Sequence, residues 1–204
     1  MIEFFTAQTS NGQRVAIMLE ECALPYRVHV LDLARGEQRA AEFLQVNPAG
    51  QIPAILDPEG PGGQPFALAQ SAAILLYLAE KTGRFLPSDS FRRAVAYQWL
   101  MQALADVACA SSSIFLLSKL LPMKSPDNVA WFEQRLLRFL RLADAQLAGR
   151  DCLAEELSIA DFALYPVCAS RHALIDAAGD LPNITRWMTM LSARPAVSRA
   201  MQAT

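Results

Sequence analysis

The stretch Asn47-Pro48-Ala49-Gly50-Gln51-Ile52-Pro53-Ala54-Ile55, followed further along by Gln70-Ser71, decides how this chain is read. Two prolines bracket a glycine turn, and apolar residues resume at once on the far side. Pro53 has no backbone N–H and fits poorly in a central strand, so it reads as an edge, bulge or cis-turn residue. A cis X–Pro bond is a minority outcome, and the sequence alone leaves these three open. A strand starting at a cis-proline would turn the N–H and C=O of Ile52 outward, where an extended peptide can pair with them. Ser71 then opens a helix through Ala72, Ala73, Ile74, Leu75 and Leu78. Its hydroxyl and the free amides of that first turn attract an anion. Peptide backbone on one side and carboxylate on the other describe a site for a small acidic peptide. Either half alone is equally compatible with an ordinary loop, strand and capped helix.

Working outward, the residues up to 82 alternate in type. Ile2 to Thr6 is an apolar run expected to form a buried strand. Val15, Met18, Leu19 and Cys22 recur at helical spacing with Glu20 and Glu21 opposite. Pro25 ends that helix, and Tyr26 to Leu33 alternates as a strand does. A short helix over Ala40 to Val46 leads into the proline turn. Ala54 to Leu56, the Gly60-Pro61-Gly62-Gly63 turn and Phe66 to Ala69 then precede the helix from Ser71. This order predicts a mixed sheet with helices packed on it.

Beyond Thr82 the pattern becomes helical throughout. Gly83-Arg84-Phe85-Leu86-Pro87-Ser88-Asp89 is the expected linker, giving an α/β domain over 1–82 and an all-α domain over 90–204. Phe91, Val95, Trp99 and Gln102 begin a long helix. Phe132, Leu136, Phe139, Leu140, Ala143 and Leu147 mark the buried face of another. Ser158-Ile159-Ala160-Asp161 has the spacing of a capping box with Asp replacing Glu, and Leu157 and Phe162 are placed as a hydrophobic staple. Pro166 is expected to kink the helix that this box starts, and Pro195 to occupy the first position of a last short helix.

Composition narrows the function. Of 204 residues, 53% are hydrophobic and 19% charged, enough for a sizeable core, and the net charge of −2 argues against a polyanionic partner such as nucleic acid. No apolar run is expected to reach the length of about 18 residues that a membrane span needs, and the N-terminus lacks a signal-peptide pattern, so the cytoplasm is the expected compartment. Cys22, Cys109, Cys152 and Cys168 lie far apart with no Cys-x-x-Cys, and His29 and His172 have no zinc-ligand spacing. A protein metal site and a cysteine nucleophile are therefore not expected.

The proline turn, Gln70-Ser71, the helical second half and the Ser158–Asp161 box, in this order and across essentially the whole chain, resemble a cytosolic glutathione transferase. The resemblance implies a thioredoxin-like N-terminal domain, an all-helical C-terminal domain, a homodimer, a cis Pro53 and glutathione as the bound peptide. Subclass turns on the loop Phe5-Thr6-Ala7-Gln8-Thr9-Ser10-Asn11-Gly12, which holds neither tyrosine nor cysteine. Thr9 and Asn11 resemble the Thr-x-Asn loop of the bacterial nu class and its fungal prion-like relatives, in which these residues contact the glutathione sulfur. Disulfide-bond reductase activity is reported for that class. Ser10 is a third candidate donor, and Asn11 is also a candidate helix cap.

Carried over residue by residue, Ile52 beside Pro53 pairs with the cysteinyl backbone. Gln70 and Ser71 hold the γ-glutamyl end, and Gln51 and Gln38 reach the glycyl end. The family usually has Glu or Asp where Gln70 stands, which implies weaker binding of the γ-glutamyl ammonium, since charge-assisted hydrogen bonds are about twice as strong as neutral ones. Ala105-Asp106-Val107-Ala108-Cys109 replaces the Gly-Gly-x-Gly-Pro stretch typical of the nu class. Asp106 is then either the missing charge, supplied across a dimer interface, or a plain solvated aspartate. Ile114, Phe115 and Leu116 are candidates for the second-substrate wall or for core. The resemblance thus implies activation of the glutathione thiol for attack on a carbon electrophile or a disulfide. A non-catalytic glutathione-binding member, or a glutathione-dependent isomerase or dehalogenase, are the alternatives.

Overall fold

The computed structural model describes residues 1–203, which form two compact units, 1–84 with 192–203 and 85–191. In the first, β1 (Ile2–Thr6), α1 (Ser10–Glu21), β2 (Tyr26–Val30), α2 (Ala41–Val46), β3 (Ala54–Asp57), β4 (Phe66–Ala69) and α3 (Ser71–Thr82) follow the expected sequence of elements. The sheet order is β2-β1-β3-β4, with β1 and β2 parallel and the other two pairings antiparallel. This is the thioredoxin-like mixed sheet. Phe4 and Ile55 are fully buried, as are Val15, Ile17, Met18 and Leu19 of α1 and Ile74, Leu75 and Leu78 of α3. At about 25 cal/mol per Å² of apolar surface removed from water, these side chains dominate the stability of the unit.

β2 stops at Val30, three residues short of the run read from alternation. Leu31 N–H still reaches Thr6 C=O at 2.8 Å, but Leu33 is exposed, so burial no longer enforces the alternation. Gly83 ends α3 at φ +64°, a left-handed position that costs glycine little.

The second unit is all-helical. Ser90–Leu120 runs as one helix, α4, with wide π-type turns over Gln102–Ala108 and Leu116–Leu120. α5 (Pro126–Gln146), α6 (Ile159–Ser170), α7 (His172–Ala178) and α8 (Pro182–Ser192) follow. Leu100, Val107, Leu136, Leu140, Phe162, Leu164 and Trp187 form its core. Phe85 belongs here rather than to a free linker: its carbonyl accepts from Ile159 N–H at 3.0 Å, and its ring meets Phe162 edge-on at 4.9 Å.

The expectation that no apolar run is long enough to cross a membrane needs correction, because α4 meets that test by length and composition, with a mean hydropathy of 1.6 in its best window. The run carries Gln98, Gln102, Asp106 and Ser111–Ser113; Leu100, Val107 and Ile114 are buried where the helix packs on α5 and α6, whereas Met101, Phe115, Leu116 and Leu120 are exposed. α6 passes through Pro166 as one helix.

The capping box forms as read. Asp161, wholly buried, accepts from the N–H of Ser158 and of Leu153 and from Trp187 Nε1, each at 3.0 Å, while Ser158 Oγ accepts from Ala160 N–H at 3.3 Å. One carboxylate thus ties the start of α6 to the preceding loop and to α8.

The last helix departs from the expected division of the chain. α9 (Pro195–Gln202), with Pro195 at its start, packs on α1 in the first unit instead of joining the helical one. Arg194 makes a two-pronged ion pair with the buried carboxylate of Glu21, at 2.6 and 2.8 Å, and Arg199 donates to Glu20 at 2.7 Å. These pairs span more than 170 residues of sequence, beyond the reach of any local signal.

Candidate glutathione site

The site grows from three segments of the first unit. The first is the start of α1. Gly12 has no room for a side chain: a Cβ there would lie 2.1 Å from Thr6 Oγ1 and 2.7 Å from the Ala7 carbonyl. The absence of one lets α1 press against the end of β1 and tightens the intervening loop. Thr9, in extended backbone, is the helix N-cap, its Oγ1 accepting from Gly12 N–H at 3.1 Å. The Thr9 hydroxyl therefore still has its own proton to donate. Ser10 and Asn11 are the first two helical residues, so the cap is Thr9 and not Asn11. Asn11 is exposed, and its Oδ1 accepts from Arg14 Nη1 at 2.5 Å.

The second segment is the proline turn. Asn47, buried, organises it: Oδ1 accepts from Ala49 N–H at 3.1 Å, and Nδ2 donates to the Gln51 carbonyl at 2.6 Å. Gly50 sits at φ +60°, with the Gln38 carbonyl 3.1 Å from where a Cβ would be. The Ile52–Pro53 bond is cis, and the registers of β3 with β1 and β4 begin at Ala54, which leaves Ile52 outside the ladder.

The third is the start of α3. Gln70 holds φ +72° and ψ 114°, a conformation that costs a residue with a Cβ, and the helix has no side-chain cap. Its first amides are open, and Ser71 is its first residue.

Asn11, Asn47, Gln51, Ile52, Pro53, Gln70 and Ser71 line one cavity. Six of the residues read from sequence are thus brought together. Thr9 and Ser10 adjoin it through α1, and Gln38 lies in the turn behind Gly50 with its Oε1 buried and unbonded. Asp106 belongs to the second unit, where it shares a separate cavity of about 370 Å³ with Gln98, Trp99, Met101, Gln102 and Ala105. Ile114 is buried core, whereas Phe115 and Leu116 are exposed.

Two residues escaped sequence reading. Asn47 was detectable as an Asn-Pro-x-Gly turn, in which the side chain bonds its own backbone two residues on. Arg14 was not, since an arginine in the first turns of an amphipathic helix reads as solvated. It is only 1% exposed and donates to Asn11 and, at 3.4 Å, to Ser71 Oγ. Burial lowers its pKa to about 10, so it remains a cation at neutral pH.

The cavity lining carries no charge of its own. It presents amides and a hydroxyl, with a helix start at one wall and a buried guanidinium behind another. Such a site favours an anion. Cys22 and Cys168 supply no thiolate, because burial raises both thiols, Cys168 to about 12. Among the described residues, no three His, Cys, Asp or Glu side chains are placed to share a metal ion.

Residues 10–81 match the model of the glutathione S-transferase N-terminal domain, and residues 115–195 that of the C-terminal domain. A disulfide-bond oxidoreductase of Escherichia coli, YfcG, is 35% identical over 98% of this chain and 94% of its own. The chain belongs to the glutathione S-transferase family. Among solved structures, a glutathione transferase family member from Pseudomonas fluorescens with two glutathiones bound superposes with a TM-score of 0.90. It is 34% identical, over 98% of this chain and 92% of that one. A glutathione transferase from Pseudomonas putida, with one glutathione disulfide per subunit, gives 0.91 at 32% identity, over 98% and 90%. In this family member the thioredoxin-like unit alone supplies the cavity described above.

Proposed function

We propose that this protein binds glutathione in the cavity between the starts of α1 and α3 and activates its thiol for exchange with a disulfide. The observation that carries the reading is the lining itself: donors without a single acidic side chain, backed by the buried cation Arg14. Ile52, freed from the ladder beside Pro53, pairs with the cysteinyl backbone. Ser71 and the α3 amides take the γ-glutamyl carboxylate, Gln70 its ammonium, and Gln51 and Gln38 the glycyl end. The hydroxyl of Thr9 and the amide of Asn11 donate to the sulfur, with Ser10 a further donor. Hydrogen bonds to the charged form lower a thiol pKa.

The thiolate then attacks one sulfur of a disulfide. A glutathionyl mixed disulfide forms, and the other sulfur leaves as a thiolate that takes up a proton. A second glutathione thiolate resolves the mixed disulfide to glutathione disulfide and a free thiol. The sequence holds no Cys-x-x-Cys redox pair, so both electrons come from the two glutathiones. The relatives support sulfur rather than carbon as the target, since one is named a disulfide-bond oxidoreductase and another holds glutathione disulfide.

Calorimetric titration with reduced and oxidised glutathione, followed by turnover of a disulfide and of a carbon electrophile, tests this. Disulfide turnover that Asn11→Ala and Thr9→Ala reduce by about tenfold or more is expected. Turnover confined to the carbon electrophile would assign conjugation instead. Binding without turnover would favour a non-catalytic glutathione-binding member, a second reading to which the neutral Gln70 lends weight. Asp106→Asn tests the γ-glutamyl contact implied for Asp106 in a homodimer, with weaker glutathione binding expected.

A further inference from the structure

We propose that Arg14 is a positioning residue for the thiolate, turning the Asn11 amide so that Nδ2–H, and not Oδ1, faces the glutathione sulfur. The inference rests on the proposed role of Asn11. An asparagine amide presents an acceptor at one end and donors at the other, and only the donor end stabilises a thiolate. With Oδ1 inward, Asn11 helps the reaction; with Oδ1 outward, it repels the sulfur. What decides between the two is the partner behind it. A guanidinium has five N–H donors and no acceptor, so nothing but Oδ1 can face Arg14 Nη1 at this separation. The amide that lines the cavity is thereby left with its Nδ2 protons on the open side.

The same constraint acts on Ser71. Arg14 Nη1 also approaches Ser71 Oγ, at 3.4 Å, so that hydroxyl accepts from behind and keeps its own proton for the γ-glutamyl carboxylate. One buried side chain thus sets the polarity at both ends of the site, joining groups 57 residues apart. A guanidinium bonded to the amide oxygen also draws electron density from the N–H, strengthening it as a donor. Arg14 is suited to this because it is enclosed: it is 1% exposed, projecting from α1 with Nη1 against Asn11 and against Ser71 at the start of α3. A lysine would bring the charge without the rigid planar fork.

The test is a double-mutant cycle read through the thiol pKa of bound glutathione, followed by thiolate absorbance against pH at saturating ligand. Asn11→Ala, Arg14→Gln, Arg14→Lys and the double variant Asn11→Ala with Arg14→Gln are compared with the parent. Glutamine has an acceptor and releases the amide to rotate. Arg14→Gln is expected to raise the bound thiol pKa by about one unit and to lower turnover at neutral pH about tenfold, with KM changing less. Arg14→Lys is expected to restore part of both effects. In the Asn11→Ala background, Arg14→Gln is expected to add nothing to the thiol pKa, because the group it orients is gone.

An equal effect in both backgrounds, or an unshifted thiol in Arg14→Gln, overturns the inference. If Asn11→Ala itself leaves the thiol unshifted while glutathione still binds, the role of Asn11 fails first and this inference falls with it. If Arg14→Gln does not fold, Arg14→Met, which has no donor to hold Oδ1, takes its place in the same cycle, and an unshifted thiol in that variant overturns the inference.

Discussion

Gln70 stands at φ +72° and ψ 114° at the start of α3, with its side chain exposed at the rim of the cavity. A non-glycine residue held there costs on the order of 1–3 kcal/mol, and glycine adopts positive φ without that penalty. Replacing Gln70 by Gly removes the strain but adds about 0.5–1 kcal/mol of backbone entropy to the unfolded chain. The net expectation is a gain of about 1 kcal/mol, or about 2–4 °C in the melting temperature of a chain of this length. The same substitution removes the amide that the proposed site sets against the γ-glutamyl ammonium, a bond to a charged group worth about 1.5 kcal/mol, so glutathione should bind about tenfold more weakly. Stability and affinity therefore move in opposite directions. Gln70→Ala is the control, since alanine loses the amide but keeps the strain: equal loss of affinity, no rise in melting temperature. Thermal unfolding without ligand and calorimetric titration with glutathione read the two quantities on the same samples. A Gln70→Gly protein that melts lower than Gln70→Ala would refute the strain argument. One that binds glutathione as the parent does would remove the Gln70 side chain from the site.

Asp161→Asn replaces one buried carboxylate oxygen with an NH₂ that faces donors already aimed at it from Ser158, Leu153 or Trp187. A loss of about 3 kcal/mol is expected in chemical denaturation followed by tryptophan fluorescence, and a loss under about 1 kcal/mol would contradict the geometry. Arg194→Ala leaves the Glu21 carboxylate, 5% exposed, without its two-pronged partner. Because Arg194 is itself 40% exposed, the cost is put at about 2 kcal/mol. Hydrogen exchange should then speed up in α1 and α9 together; exchange confined to α9 would show that the tail is not part of the first unit's cooperative structure. For Asp57, burial works to raise the carboxyl, but hydrogen bonds from Lys81, Tyr77 and Glu59 N–H outweigh it and hold the group below the usual carboxylate range. Its contribution to stability is therefore complete above the unfolded value of about 3.9 and is lost as pH falls through the folded one. Denaturation midpoints across that range should show an acid-side slope that Asp57→Asn reduces; an identical slope in both proteins would assign it elsewhere.

Much of the first unit was legible because its signals are local. Pro25, Pro48, Pro53 and Gly83 punctuate the chain, the apolar spacing switches between two and about 3.6, and Ser158 with Asp161 forms a cap within four residues. The misreadings are equally specific. Asn11 reads as a cap because asparagine before glycine favours one, yet the close approach of Gly12 to Thr6 starts the helix earlier and gives the cap to Thr9. The long helix from Phe91 was read, but not that it is apolar over the length of a membrane span, because its polar residues interrupt the apolar run at intervals that a helix tolerates.

By itself the sequence determined the order of strands and helices and the proline turn ahead of Ala54, which follow from backbone preferences and periodicity within a few residues. The residues expected at the cavity came from the likeness to the glutathione transferases, and Asn47 was not among them. Only the tertiary structure decided that Arg14 lies buried between Asn11 and Ser71, and that the last helix returns to α1 through Arg194 and Glu21. A charged residue on an amphipathic helix looks the same in sequence whether it meets water or a partner. The difference lies in which distant segment covers it, and that is settled by the packing of the whole unit.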